Sequence, residues 1–437
     1  MDGAPQGHNG TADEHRPRVI VSCDPPIGPR LKQDLRPYCP AQHLDRFDDF
    51  VRYVESTDSL RTSQEANLRA LMRTEGHYDP HQRMRDLDHD GTAAEVIFHG
   101  SQNGEPIPFV VSDPSIGVAT MGRVYDVDYE LAGVGRHIYN QWLADFCSVE
   151  PERHVGLAHL PMWDIDAAVK ELEWARAAGL KGVNFPAEAG PTETSRSRWG
   201  GVNYYHDPVW EPFWSACEDN QMPLATHGGA GTPTAFPGGN PIWVLEAQEL
   251  SRRPMHRLIL SAVFERHPGL KMVLTEQPGD WWRTRLADMD SIHMTVGRHE
   301  NLLPKLPSEY AAANCFIGAS FQSRFEAEDA VVHGYAGNIL WGTDYPHVEG
   351  TWKYPEDPEA EPVSIISARY TYHDLPAEDV VGMLGLNAVQ VYGLDVEALA
   401  KVAERINAPT LAHINKPVDE IPADHGMWAF RQLGAFA

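Results

Sequence analysis

The chain has few cysteines, little positive charge and no long apolar run, and each shortage excludes something. Its 437 residues include five cysteines, Cys23, Cys39, Cys147, Cys217 and Cys315. An odd number, scattered without a Cys-x-x-Cys pair, argues against a disulfide framework and for reduced thiols in the cytoplasm. Basic residues number 36 against 62 acidic ones, a formal charge of -26. A surface of that sign repels phosphate backbones and anionic membranes, so neither nucleic acid nor a membrane is an expected partner. No apolar run approaches the roughly 20 residues that span a bilayer. Met1 to His15 are polar and lack the apolar stretch of a signal peptide. Two local basic sets, Arg252, Arg253, His256 and Arg257, and Arg196 with Arg198, read as solvated surface groups, with anion binding as the alternative.

What is present is ordinary globular material, 42% hydrophobic and 22% charged, enough for a large core. The length exceeds a typical domain, which leaves two domains or one large barrel with insertions. Residues 1–16 read as a flexible tail. Short apolar runs then fall at 18–23, 94–98, 155–160, 182–185, 223–227, 271–276, 315–318 and 339–343, separated by helical patterns. Short buried strands alternating with helices predict a parallel sheet, and eight of them close a (β/α)8 TIM-like barrel. The barrel is expected over 17–400, with helices inserted after the first strand over 41–73. An extension over 401–437, containing Pro409, Pro417 and Pro422, is expected to pack on the barrel or on a partner subunit of a homo-oligomer.

In such a barrel the positions just past the strands converge on one mouth. Here they are Cys23-Asp24, His99, Thr226-His227-Gly228-Gly229, Thr275-Glu276, and Gly342-Thr343-Asp344-Tyr345-Pro346-His347. Imidazole with carboxylate is the ligand chemistry of zinc, iron or manganese. A metal site drawn from Asp24, His99, His227, Glu276, Asp344 and His347 is therefore expected, with Asp344 and His347 as the catalytic pair. The bland alternatives are a turn cap for Asp344 and hydrogen-bonded barrel positions for the others. His154, His159, His206 and His267 read as structural. Trp281, Trp282, Trp341, Tyr345 and Trp352 suggest an apolar pocket for a sizeable organic substrate.

With these residues in hand, the chain resembles the amidohydrolase-related superfamily of metal-dependent barrels, particularly the branch of aminocarboxymuconate-semialdehyde and related decarboxylases. The likeness rests on Met84-Arg85-Asp86-Leu87-Asp88, Tyr205-His206-Asp207-Pro208-Val209-Trp210, Ala225-Thr226-His227-Gly228-Gly229, Phe264-Glu265-Arg266-His267-Pro268 leading to Thr275-Glu276, and the Gly342 to His347 run. It implies a distorted (β/α)8 barrel in which His227 and Asp344 bind metal. One departure is plain: the family's first-strand motif is His-x-His or Asp-x-His, whereas this chain reads Asp24-Pro25-Pro26.

The altered centre, the loop His99-Gly100-Ser101-Gln102-Asn103-Gly104-Glu105 and the aromatic mouth are similar to the TIM-barrel non-heme diiron monooxygenases of platensimycin and platencin biosynthesis. That resemblance implies two iron ions, dioxygen, an electron donor, and an apolar small-molecule substrate of secondary metabolism, carried as a coenzyme A (CoA) thioester. A monooxygenase is the leading expectation. The alternative is a hydrolase or decarboxylase with one zinc or manganese, in which Asp344 is the general base and His227 a ligand. A barrel that has lost its metal and only binds a ligand is the third.

Overall fold

Short apolar runs bounded by Gly, Pro and polar residues are what strands covered on both faces require, and they become strands in the computed structural model. It describes residues 14–57, 74–100, 106–109, 128–187, 204–227, 237–278, 281–300, 302–347, 350–353, 359–422 and 429–431. The strands are β1 (Val21–Ser22), β2 (Pro26–Ile27), β3 (Ala94–His99), β4 (His154–Ala158), β5 (Gly182–Asn184), β6 (Leu224–Thr226), β7 (Met272–Thr275), β8 (Cys315–Ser320) and β9 (Ile339–Gly342). Every ladder is parallel, in the order β1-β3-β4-β5-β6-β7-β8-β9, with β2 continuing beside the end of β3. The first barrel strand is split because Pro25 and Pro26 have no amide hydrogen to donate to a ladder. The cylinder is nearly closed where the Cys23 amide donates to the Trp341 carbonyl at 2.8 Å. The expected (β/α)8 barrel is the fold.

Two apolar clusters follow from side-chain alternation along each strand. Val96, Phe98, Val155, Leu157, Ala225, Val273 and Leu340 pack inside the barrel. Ile97, Val183, Leu224, Met272, Leu274 and Trp341 face outward, against the helices. Those used below are α1 (Pro80–His89), α2 (Tyr129–Cys147), α3 (Ile165–Ala177), α4 (Val363–Tyr372) and α5 (Val396–Arg405). Their starts obey capping chemistry: Asp79, Asp128, Asp164 and Asp395 each accept from an amide of the first turn. The stop expected at Gly179 is also real, since that residue takes φ +98 just past the end of α3.

Helix α5 runs across residue 400 and packs its Leu399 and Val402 into the cluster that contains Val19 and Ala93 at the strand starts. The described part of the C-terminal segment lies on this same chain. Thr410 bridges Pro17, Arg369 of α4 donates to the Lys416 and Pro417 carbonyls, and Ser367 donates to the Ala429 carbonyl. All five cysteines are buried and free. No described helix is long and apolar enough to cross a membrane.

Candidate functional site

The strand ends bring an acidic group together around one imidazole. His227 follows β6, and its Nε2 lies 3.0 Å from Oδ1 of Asp24, which is fully buried after β1. The other Asp24 oxygen accepts from the hydroxyl of Ser320, the last residue of β8. On its far side His227 Nδ1 lies 3.7 Å from Oε2 of Glu276. Burial alone would depress this imidazole, but Asp24, with Glu276 and Asp344 adding to it, pushes it up to about 9. His227 is therefore an imidazolium at neutral pH.

Asp344 is fully buried after β9, and its Oδ1 lies 2.9 Å from Nδ1 of His347, one tight turn further on. Glu276 and Asp344 both take the left-handed backbone conformation at φ +55. That conformation costs a non-glycine residue on the order of 1 kcal/mol, and strain of this kind concentrates where a side chain must be aimed. Glycine is needed at position 342, where a Cβ would stand 2.6 Å from the Ser320 hydroxyl and 3.1 Å from the Asp24 Cβ. Ser22 and Thr343 join the same strand ends, with their hydroxyls 2.9 Å apart.

Beneath this group lies a buried ionic network. Arg83 of α1 pairs with Glu95 of β3 at 2.6 Å, donates to the Pro26 carbonyl at 3.1 Å, and places its guanidinium 4.2 Å from the Tyr345 ring centre. Asp86, one turn along, accepts from the Tyr345 hydroxyl at 2.5 Å. His154 holds Glu95 from the other side at 3.0 Å. Burial works against the Glu95 carboxylate, yet Arg83 and His154 pull it down to about 2. Helix α1 thus grips the segments that carry Asp24 and Asp344.

Asp24, His227, Glu276 and Asp344 lie near one another at the strand ends, and His347 joins through Asp344. His99 does not. Its ring stands 5.2 Å from Tyr139 and 5.9 Å from His159, in a separate cluster that Asn184 completes. His159 reads as structural in the sequence; β4 ends at Ala158, and His159 follows directly after it. Ser320 and Asn184 were missed, although both stand at strand ends and the rule that found the others would have found them. The aromatic residues are mostly packing: Tyr345 meets Trp352 at 4.4 Å, Trp341 meets Tyr372 at 5.8 Å, and Trp282 is buried. Arg252 donates to Gln277 at 2.7 Å and covers the Trp281 ring. Arg196, Arg198, Gly228, Gly229 and the 101–105 part of the His99 loop lie outside the described residues.

The donor chemistry fits a divalent cation. Two fully buried carboxylates and a third partly exposed one surround a single imidazolium, which leaves the group net negative. Among the described residues no three His, Cys, Asp or Glu side chains are already grouped around one point. Asp24 and His227 are joined to each other instead, and an ion would replace the proton of that hydrogen bond.

The amidohydrolase family profile matches residues 79–394. The chain belongs to the amidohydrolase family. This amidohydrolase-family chain is 29% identical over 231 residues to a gamma-resorcylate decarboxylase of Rhizobium radiobacter, a match covering 47% of the chain and 64% of that relative's length. It superposes on 5-carboxyvanillate decarboxylase of Sphingomonas paucimobilis with a TM-score of 0.56 at 19% identity, covering 86% of this chain and 99% of that one. The 5-carboxyvanillate decarboxylase of Novosphingobium aromaticivorans, solved with manganese and 4-hydroxy-3-methoxy-5-nitrobenzoic acid, superposes with a TM-score of 0.56 at 17% identity, covering 86% and 96%. At these identities the superpositions speak for the fold alone.

The relatives overturn the leading expectation. They are decarboxylases, which makes the iron-dependent monooxygenase and its oxidoreductase class a misassignment. Nothing in them supports two iron ions, an electron donor or a CoA thioester. His99, one of the expected metal ligands, packs its ring against Tyr139 and His159. The missing first-strand histidine at Pro26 marks an altered family site and carries no oxygen chemistry of its own.

Proposed function

We propose that this chain is a decarboxylase of an aromatic carboxylic acid, working with one divalent ion such as manganese. The observation that carries this is the convergence of Asp24, His227 and Asp344 at the mouth of a barrel whose relatives are decarboxylases. An anionic substrate cannot approach three carboxylates balanced by one imidazolium, so the site needs an added cation before a carboxylate can bind. Asp24, His227 and Asp344 would hold that ion, which supplies positive charge to the substrate's carboxylate.

In decarboxylation the bond from ring carbon to carboxylate breaks, carbon dioxide leaves, and the electron pair left on the carbon takes a proton. Asp344 would bring that proton to the carbon. His347 Nδ1, 2.9 Å from Asp344 Oδ1, restores it. With the ion bound, His227 would be the neutral imidazole, and Glu276, 3.7 Å from its Nδ1, would orient the ring.

Carbon dioxide release from 2,6-dihydroxybenzoate and from 5-carboxyvanillate, the acids that relatives are named for, tests this with manganese-loaded protein. Turnover of one of them, unchanged under nitrogen, is the expected result. Replacing Asp344→Asn should lower it by roughly 100-fold or more, the usual contribution of a proton-transfer group. A product that forms only with dioxygen, or full activity in the Asp344→Asn protein, would sink the proposal.

A further inference from the structure

Strand β8 ends at Ser320, whose hydroxyl donates to the Asp24 carboxylate, and the chain then turns at Phe321 with φ +62. Phe321 is buried and carries a Cβ, and such a residue holds the left-handed conformation only where its surroundings fix it. The aim of the Ser320 hydroxyl therefore depends on what secures the next two peptide groups.

The groups that secure them come from far along the chain. The Gln322 carbonyl accepts from Thr371 Oγ1 at 3.2 Å, and its side-chain Oε1 accepts from the Tyr372 hydroxyl at 2.6 Å, both at the end of α4. The Phe321 carbonyl accepts from Nε of Arg431 at 3.2 Å. Nη2 of the same guanidinium donates to Glu326 Oε2, which also accepts from the Ser323 amide at 2.7 Å. One planar group thus spans the turn, from the Phe321 carbonyl to the start of the helix Arg324–Val332.

Arg431 is itself held in place. The Ala429 carbonyl accepts from Ser367 Oγ at 2.8 Å, and the buried Phe430 meets the Tyr370 ring edge-on at 5.6 Å, both partners lying on α4. The Arg431 side chain is 17% exposed and that of Glu326 8%, so salt screens the pair little. Arg431 stands outside residues 79–394, the part of the chain that the family profile matches.

We propose that Arg431 is a positioning residue for the acidic centre: it braces the Phe321 turn and, through it, the Ser320 hydroxyl that orients Asp24 for a divalent ion. The ion rests on the decarboxylase proposal; the brace does not.

The test is a substitution cycle on the full chain, Arg431→Met, Ser320→Ala and both together, read in two ways. In metal-free protein the two losses in urea midpoint should be less than additive, because removing the hydroxyl removes part of what the brace maintains. In manganese titration calorimetry Arg431→Met should weaken binding about tenfold, the lower end of what a partner one step removed contributes, and should change nothing further in the Ser320→Ala background. Circular dichroism checks folding, and Arg431→Gln, which keeps a neutral donor, replaces Arg431→Met in the cycle if that variant does not fold. Additive midpoints would overturn the brace whether or not manganese binds. Native manganese affinity in Arg431→Met, or the same tenfold loss in the Ser320→Ala background, would also overturn it and leave the arginine as an anchor of the C-terminal segment alone. Coupled midpoints in a native chain that binds no manganese would support the brace and remove the ion instead.

Discussion

Asp24 directs one oxygen to His227 and the other to the Ser320 hydroxyl, so the orientation of this carboxylate is set by two strands other than its own. Partners of this kind, one step removed from an ion, typically change metal affinity 10- to 100-fold when deleted. Ser320→Ala should therefore weaken manganese binding by about that factor, measured by titration calorimetry on folded protein. Gly342→Ala meets a harder limit. The new methyl would stand 2.6 Å from the Ser320 hydroxyl and 3.1 Å from Asp24, too close for either to keep its place. A loss of roughly 1–3 kcal/mol in denaturant unfolding is expected, together with weaker manganese binding.

Among the elements, α1 is the one that joins the acidic centre to the rest of the fold. Its Arg83 and Asp86, one turn apart, face the same way and reach Glu95, Pro26 and Tyr345. Removing one partner from a buried ion pair strands the other charge, at a cost of roughly 3–5 kcal/mol. Arg83→Met should destabilise the chain by about that much in urea unfolding. Acid gives a second check. Glu95 is pulled down from its ordinary 4.5 to about 2 in the folded state, so the stability it contributes is present above pH 4.5 and lost as pH falls through about 2. The stability difference between the native protein and Glu95→Gln should shrink over that window, and a constant gap would show that the ion pair is not responsible.

The molecule as a whole carries a charge of -26. Self-repulsion at this level disfavours the compact state and is screened by salt. Raising sodium chloride from about 0.01 to 0.15 M, which shortens the Debye length from ~30 to ~8 Å, should raise the melting temperature of the metal-free protein. The same excess of anions around His227 gives manganese a further stabilising effect by mass action. A chelator should therefore lower the melting temperature of manganese-loaded protein, and an unchanged temperature would count against the site.

Strand and helix order could be read along the chain because alternation, apolar runs and caps such as Asp164 are local features. The strand-end rule could be applied from the same information, and it located Asp24, His227, Glu276 and Asp344. Two things were settled only by tertiary structure. His99 and His159 lie far apart in sequence, and their pairing could not be read until the barrel and α2 brought both rings against Tyr139. The hydrogen bond from Tyr345 to Asp86 spans 259 residues of chain, a separation over which no local pattern operates. Side-chain types and their spacing determine which strand ends can bear ligands. Which of those ends meet depends on the closure of the barrel, and charges acquire their partners only then.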